Sequence, residues 1–327
     1  MAKAGVRQIA KAAAVSPATV SRVLNQHPNV RPEVRERVLA AAAQLRYSAN
    51  RSGRRKHVTV LVEGFGDLGA SRYYAAMVGS VVRQLSEAGL RADVMPVEAV
   101  EIELLARQYT EAVLAMVWSP EYRDRLHQID GAPVILINDF GPDWHCVHSD
   151  HQQGTQMAVE HLVTHGHRRI ALLRYFSGGW SDAQRLAGYG AGLRDAGIEP
   201  DPALIASQDS LTVDGEVGGL MVCLSELLMH NPSALILASE DLSLPVSHAL
   251  YRLNRQIPDD ISVIGFESPE LSAYLQPPMT TINQNVSGIA AELVKTVQEL
   301  RQDPELPSRC VVLPNTLVKR HSVKMFQ

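Results

Sequence analysis

Apolar positions recur at two different spacings along this chain, and the spacing changes near residue 57. In the first stretch Val6, Ile9, Ala10 and Ala13 fall on one face of a 3.6-residue repeat and predict a short helix. Ala14-Val15 makes a turn. Ser16 then offers an N-cap, and Pro17 takes a first helical position where a missing N–H costs nothing. A second helix is predicted from 17 to about 25, with Val20, Val23 and Leu24 inward and Ala18, Thr19, Ser21 and Arg22 outward. A third, over about 32–45, is expected to bury Val34, Val38, Leu39, Ala42 and Leu45 and to brace the other two.

Beyond residue 57 short β-branched runs alternate with amphipathic helical stretches. Predicted strands fall at 58–62, 91–96, 112–118, 134–138, 169–173, 234–238 and 261–265, with helices at 73–88 and 101–110 among them. Strands separated by helices imply an α/β body of parallel sheets covered on both faces. In such open sheets a ligand binds at the carboxyl ends of the strands.

Charge divides the chain at the same place. Residues 1–57 carry twelve Lys or Arg against Glu33 and Glu36, a net +10, whereas the remainder carries 19 against 33, a net −14. The overall balance of −4 hides this asymmetry. A basic helical head on an acidic body is the electrostatic footprint of a nucleic-acid-binding module. Short side chains on the outward face of the second helix let it enter a major groove, where Arg22 suits the O6/N7 edge of a guanine. No apolar run approaches the roughly 20 residues that span a bilayer. Residues 1–5 lack the apolar core of a signal peptide, so a cytoplasmic protein is expected, nucleoid-associated when on DNA. Cys146, Cys223 and Cys310, odd in number and far apart in sequence, read as reduced, inert thiols.

The run Ile9-Ala10 … Val15-Ser16-Pro17-Ala18-Thr19-Val20-Ser21-Arg22-Val23-Leu24-Asn25, with Tyr47 and Asn50 behind it, resembles the headpiece of the lactose-repressor family. The resemblance implies that Pro17, Ala18 and Arg22 face bases. It also implies that Ser16, Thr19, Ser21, Asn25, Asn29, Arg31, Tyr47 and Asn50 touch phosphates or hold the helices. The family's hinge helix and its minor-groove leucine wedge are not carried over, because the linker reads Arg51-Ser52-Gly53-Arg54-Arg55-Lys56-His57. Gly53 disfavours a helix, Lys56 stands at the wedge position, and Ala49 replaces the usual proline. Arg54 and Arg55 are expected to meet phosphates as part of a basic arm.

The body is similar to the sensor of the same family, which resembles type I periplasmic sugar-binding proteins. The stretches that carry this are Glu160-His161-Leu162, Gly166-His167-Arg168-Arg169-Ile170-Ala171, Arg185-Leu186-Ala187-Gly188-Tyr189, Pro258 through Phe266, and Pro278-Met279-Thr280-Thr281-Ile282. The resemblance implies three domains: a helix-turn-helix at 1–50, a basic linker at 51–57, and an effector-binding, dimerising body at 58–327. Two Rossmann-like lobes are expected in the body, about 58–156 plus 286–313 and about 157–285 plus 314–324. Effector contacts are expected from Tyr73, Tyr74, Asp150, Arg185, Glu240 and Glu267, the last two standing where the family has aspartates. Trp118 and Trp180 are candidates to stack on a sugar face, with core packing the alternative for Trp118.

Sharper chemistry finds little support. His161, His165 and His167, preceded by His145, His148 and His151, invite a metal, but no H-E-x-x-H pattern is present. No nucleophile elbow, P-loop or dinucleotide fingerprint occurs, so neither catalysis nor a cofactor is expected. The expected function is a transcription regulator, a repressor of carbohydrate or related genes. It would bind a pseudo-palindromic operator as a homodimer and answer to a sugar, sugar acid or sugar phosphate. The alternative is a small-molecule-binding protein without operator specificity.

Overall fold

A computed structural model describes residues 6–24, 30–45, 57–65, 71–100, 110–129, 131–175, 179–207, 216–239, 241–266 and 269–326. The chain forms two compact units, Met1–Arg55 and Lys56–Gln327.

In the first unit α1 (Val6–Ala12), α2 (Pro17–Leu24) and α3 (Pro32–Gln44) enclose a small core. Ile9, Ala10, Ala13, Val20, Val23, Val38, Ala41 and Ala42 fill it. Ala14 closes the α1–α2 turn in the left-handed region at φ 50°, and the Val15 N–H reaches back to the Ala10 carbonyl at 3.0 Å. Two details of α3 differ from expectation. Leu39 is 50% exposed, and Ala41 is buried in its stead. Val38, Ala41, Ala42 and Leu45 lie on one i, i+3, i+4, i+7 stripe, and Leu39 sits about 100° round the helix from Val38. Val34 and Leu45 are only partly buried.

The second unit holds two six-stranded sheets. One contains β1 (His57–Val62), β2 (Arg91–Pro96), β3 (Val113–Met116), β4 (Val134–Ile137), β5 (His145–Ser149) and β11 (Cys310–Leu313), in the order β11-β5-β4-β3-β1-β2, every pair parallel. The other contains β6 (Ile170–Arg174), β7 (Ile205–Ser207), β8 (Ala234–Leu237), β9 (Ser262–Phe266), β10 (Thr280–Asn283) and β12 (Thr316–Val318), in the order β12-β10-β9-β8-β6-β7. Alternate residues feed cores on opposite faces. Val58, Val60 and Val62 enter one and Leu61 the other; Leu235 and Leu237 enter one and Ile236 the other. A sheet buried on both faces explains why its strands read as continuous apolar runs.

The sheets are joined where strands end at Ser149, Asn283 and Leu313. The first two continue into the His151–Thr164 and Val286–Gln302 helices, and the third into β12. β12 is antiparallel to β10, a departure from an all-parallel lobe. Its direction follows from its entry point: a strand that starts at the crossing starts at the carboxyl ends of its neighbours. The boundary expected near 156 falls inside the His151–Thr164 helix, whose Ala158, Val159 and Leu162 pack in the second lobe's core. This helix lies close against Trp180–Asp195. A Cβ on Gly188 would stand 2.2 Å from the Gln152 carbonyl oxygen, and one on Gly192 would stand 2.9 Å from Val159 Cβ. Two glycines one helical turn apart thus set the closeness of the pair.

Candidate functional site

The head presents its chemistry on α2. Ser16 Oγ accepts the Thr19 N–H at 3.1 Å and lies 2.9 Å from Thr19 Oγ1, the capping geometry that satisfies an otherwise orphan donor. With Val20 and Val23 buried, Pro17, Ala18, Ser21 and Arg22 remain exposed and Thr19 partly so. Arg31 is exposed just before α3. The helix therefore offers a low ridge of small side chains with one guanidinium, a shape that fits a major groove. Asn25, Asn29, Tyr47, Asn50, Arg54 and Arg55 lie outside the described residues.

In the body, the carboxyl ends of both sheets meet around the crossings. Trp118, just past β3, stacks on Tyr74 with ring centroids 5.1 Å apart and planes 6° from parallel, and Tyr73 meets Tyr74 edge-on at 5.8 Å. Glu63, just past β1 and 6% exposed, fixes the loop beneath this platform. Its carboxylate accepts the Trp118 N–H at 2.7 Å and the Ser119 N–H at 3.0 Å. From the second lobe Trp180 reaches across to His148 and Phe140, with centroids 4.4 and 6.0 Å away. A Cβ built on its neighbour Gly179 would stand 3.9 Å from Trp118 Cβ.

A polar chain ties these walls together. Asn138, left-handed at φ 50°, donates from Nδ2 to Tyr73 Oη and, at 3.3 Å, to Gln284 Oε1, while its Oδ1 accepts the Ser149 N–H at 2.9 Å. Buried Arg185 donates to the Ala238 carbonyl at 2.7 Å and approaches Gln284 Oε1 at 3.5 Å. Its guanidinium carbon lies 4.7 Å from the Phe266 ring centroid. Helix Arg72–Glu87, two crossings and Arg185 are thus one hydrogen-bonded series.

The site's titratable groups are shifted by burial. Asp139 is pushed up by desolvation, against the Phe140 N–H and the Arg123 guanidinium 3.3 Å away. His148 is lowered by burial, and His151, 1% exposed, lies well below the usual histidine range through burial and the nearby Arg185 charge. Neither ring nitrogen of His151 has a protein hydrogen-bond partner. Arg174 and Asp182 form a half-hidden bidentate pair, Nε to Oδ1 at 2.9 Å and Nη2 to Oδ2.

Of the expected effector residues, Tyr73, Tyr74, Trp118, Trp180 and Arg185 come together here. Asp150 stands at the first crossing, but its carboxylate caps the next helix by accepting the Gln153 N–H at 2.9 Å. Glu240 and Glu267 lie outside the described residues. Glu63, Asn138, Asp139, Phe140 and Gln284 escaped the sequence reading, which noted His148 and His151 only within a histidine cluster. A usable signal existed for four of them, since Glu63, Asn138, Asp139 and Gln284 directly follow strand ends, where ligands of such sheets bind. The histidines further along are structural: His167 contacts Ser233 Oγ at 3.0 Å and the Lys324 carbonyl at 3.2 Å, and His165 Nδ1 contacts the His161 carbonyl at 2.7 Å.

Comparison with known proteins gives a consistent result. Residues 6–50 match bacterial regulatory proteins of the lacI family, and residues 159–323 match the periplasmic binding protein-like domain. The HTH-type transcriptional regulator CelR of Thermobifida fusca is 30% identical, covering 96% of this chain and 97% of its own. The ribose operon repressor of Escherichia coli K12 is 25% identical over 98% of this chain and 99% of its own. Among solved structures, a CelR–cellobiose complex superposes with a TM-score of 0.73 at 26% identity, covering 98% of this chain and 100% of that one. A lac repressor dimer bound to operator and an anti-inducer gives 0.69, also at 26% identity, covering 99% and 100%.

Proposed function

Because this chain belongs to the lacI family of bacterial regulatory proteins, we propose that it is a sequence-specific transcription repressor whose hold on DNA is set by a small polar effector. The observation that carries the reading is the Ser16-capped helix, with Pro17, Ala18, Ser21 and Arg22 outward on a unit of strongly positive charge. Arg22 is the base-reading residue, since Pro17 has no donor to offer a base edge. Ser16, Thr19, Ser21, Asn25, Asn29, Arg31, Tyr47 and Asn50 serve phosphates or helix positioning, and Arg54 and Arg55 add phosphate contacts. One short helix reads few base pairs, so a homodimer on a pseudo-palindromic operator supplies the specificity.

The effector lies at the carboxyl ends of the two sheets, against Tyr73, Tyr74, Trp118, Trp180 and Arg185, and Asp150, Glu240 and Glu267 are its further proposed contacts. An aromatic platform beside a guanidinium suits a sugar, a sugar acid or a sugar phosphate. The cellobiose complex of a relative supports a carbohydrate. By linkage, operator and inducer weaken each other's binding by the same factor. The protein works in the cytoplasm, on the nucleoid when DNA-bound, and performs no catalysis.

Operator selection from random duplexes tests the proposal. It predicts an enriched palindromic motif and an affinity that falls steeply with added salt. Binding without sequence preference would instead favour a small-molecule-binding protein that has no operator.

A further inference from the structure

Two cysteines 164 positions apart in sequence are brought side by side at the edge of the first sheet. Cys310 on β11 is the direct register partner of Cys146 on β5. Neighbouring strands lie about 4.8 Å apart. That falls inside the roughly 4.4–6.8 Å between the Cα atoms of disulfide-linked cysteines. Register partners on parallel strands point to the same face, so the two thiols are neighbours on one side of the sheet. Cys310 is exposed on the edge strand and Cys146 is buried beneath it.

His148 completes the group. Its Nδ1 lies 2.8 Å from the Ser149 carbonyl oxygen, which accepts and therefore fixes the ring proton on Nδ1. Nε2 is left with its lone pair, 3.0 Å from Cys310 Sγ. The arrangement has an accessible thiol, a base 3.0 Å from it, and a second thiol at the register-paired position of the next strand.

We propose that Cys310 and Cys146 form a reversible disulfide on exposure to a hydroperoxide, with Cys310 attacked first and His148 as the proton acceptor. His148 Nε2 takes the Cys310 proton, and the thiolate attacks the hydroperoxide. The O–O bond breaks, Cys310 becomes a sulfenic acid, and the departing alkoxide or hydroxide takes the proton from His148. Cys146 Sγ then attacks Cys310 Sγ. The S–S bond forms, the S–O bond breaks, and the hydroxide leaves as water with the Cys146 proton. In sum two thiols and one hydroperoxide give a disulfide, an alcohol (water when the oxidant is hydrogen peroxide) and a further water. Burial raises the thiols, Cys310 to about 11, so both stay protonated at neutral pH and wait on the base. The bond would join the strand before the first lobe crossing to the strand before the third.

The test uses the full-length protein, hydrogen peroxide, alkylation of remaining thiols, and non-reducing peptide mass spectrometry. A Cys146–Cys310 linked peptide is expected, with Cys223 alkylated and all three thiols recovered after dithiothreitol. Cys310→Ser, on the exposed edge, should leave Cys146 alkylatable. Cys146→Ser should stop Cys310 at a sulfenic acid that dimedone traps. His148→Gln should slow thiol loss by roughly tenfold or more. Both cysteines still alkylatable, or links only between Cys310 residues of two chains, would overturn the proposal. An unchanged rate in His148→Gln would overturn the role given to the base.

Discussion

Trp180 stands edge-on to His148 with ring centroids 4.4 Å apart, although the tryptophan belongs to the second lobe and the histidine to the first. Phe140 of the first lobe flanks the same indole at 6.0 Å. The contact bridges the two lobes beside the proposed effector site, so a change in the angle between the lobes would alter it. Removing the indole in Trp180→Ala should lower effector affinity by about tenfold, or ~1.4 kcal/mol. Isothermal titration of wild type and variant with the same ligand checks this.

Arg185 should matter more. A screen of sugars, sugar acids and sugar phosphates is expected to find a compound that raises the melting temperature of the wild type, and Arg185→Ala should abolish that rise. The guanidinium is buried between the Ala238 carbonyl, Gln284 and the Phe266 ring, so the variant itself should melt lower. Arg185→Lys separates the two effects. It restores charge without the planar fork and should recover less than a tenth of the affinity. Full recovery of binding with lysine would show that only the charge counts.

In the head, Ser16→Ala removes the cap of α2 and should cost about 1 kcal/mol of domain stability. Operator affinity should fall for every sequence alike. Arg22→Ala should behave differently, relaxing discrimination at one base pair per half-site by about 1–3 kcal/mol. Parallel binding to an operator and its single-base variants distinguishes a lost cap from a lost contact.

Acid should destabilise the body through its histidines. His161 is lowered to about 4 by burial, then by His165, Lys319 and His167 around it. Unfolded, it titrates near 6.5, so between these values the unfolded chain binds more protons and stability falls as pH falls. His145, His148, His151 and His167 are shifted in the same direction. The melting temperature is expected to drop steadily from pH 7 toward pH 4.5, and His161→Gln should make that slope shallower. A slope unaffected by the substitution would remove His161 as a contributor.

Gly188→Ala should be among the most damaging single-methyl changes in the molecule. The new Cβ would stand 2.2 Å from a backbone oxygen of the facing helix, which has no side-chain freedom to yield. A loss of more than about 2 kcal/mol is expected in chemical denaturation.

Periodicity carried most of the fold because both sheets are buried on two faces. Each of the seven expected strands overlaps an observed one, and 91–96 coincides with β2. The strands it passed over are of another kind. β5 reads His145-Cys146-Val147-His148-Ser149 and is wholly buried, while β10 and β11 are four residues each and β7 and β12 three. Polar residues hid the first, and shortness hid the others. The candidate effector wall was legible in the same partial way. Tyr73, Tyr74 and Arg185 carry a local pattern, whereas Asn138, Gln284 and His151 gain meaning only when three distant strand ends converge. Cys146 and Cys310 show the limit most plainly, since sequence separation made them appear unrelated and strand order makes them adjacent.

The three passages between the lobes form one seam. Ser149 Oγ donates to the Gln284 carbonyl at 3.1 Å, and Asn315 Nδ2 donates to the Asp150 carbonyl at 2.5 Å. A joint with three tethers side by side behaves as a door on its jamb, with one axis of swing and little freedom to slide or twist. An effector then has only the angle of that door to choose. Compounds of quite different shape should drive the molecule along a single coordinate and differ only in how far they push it shut.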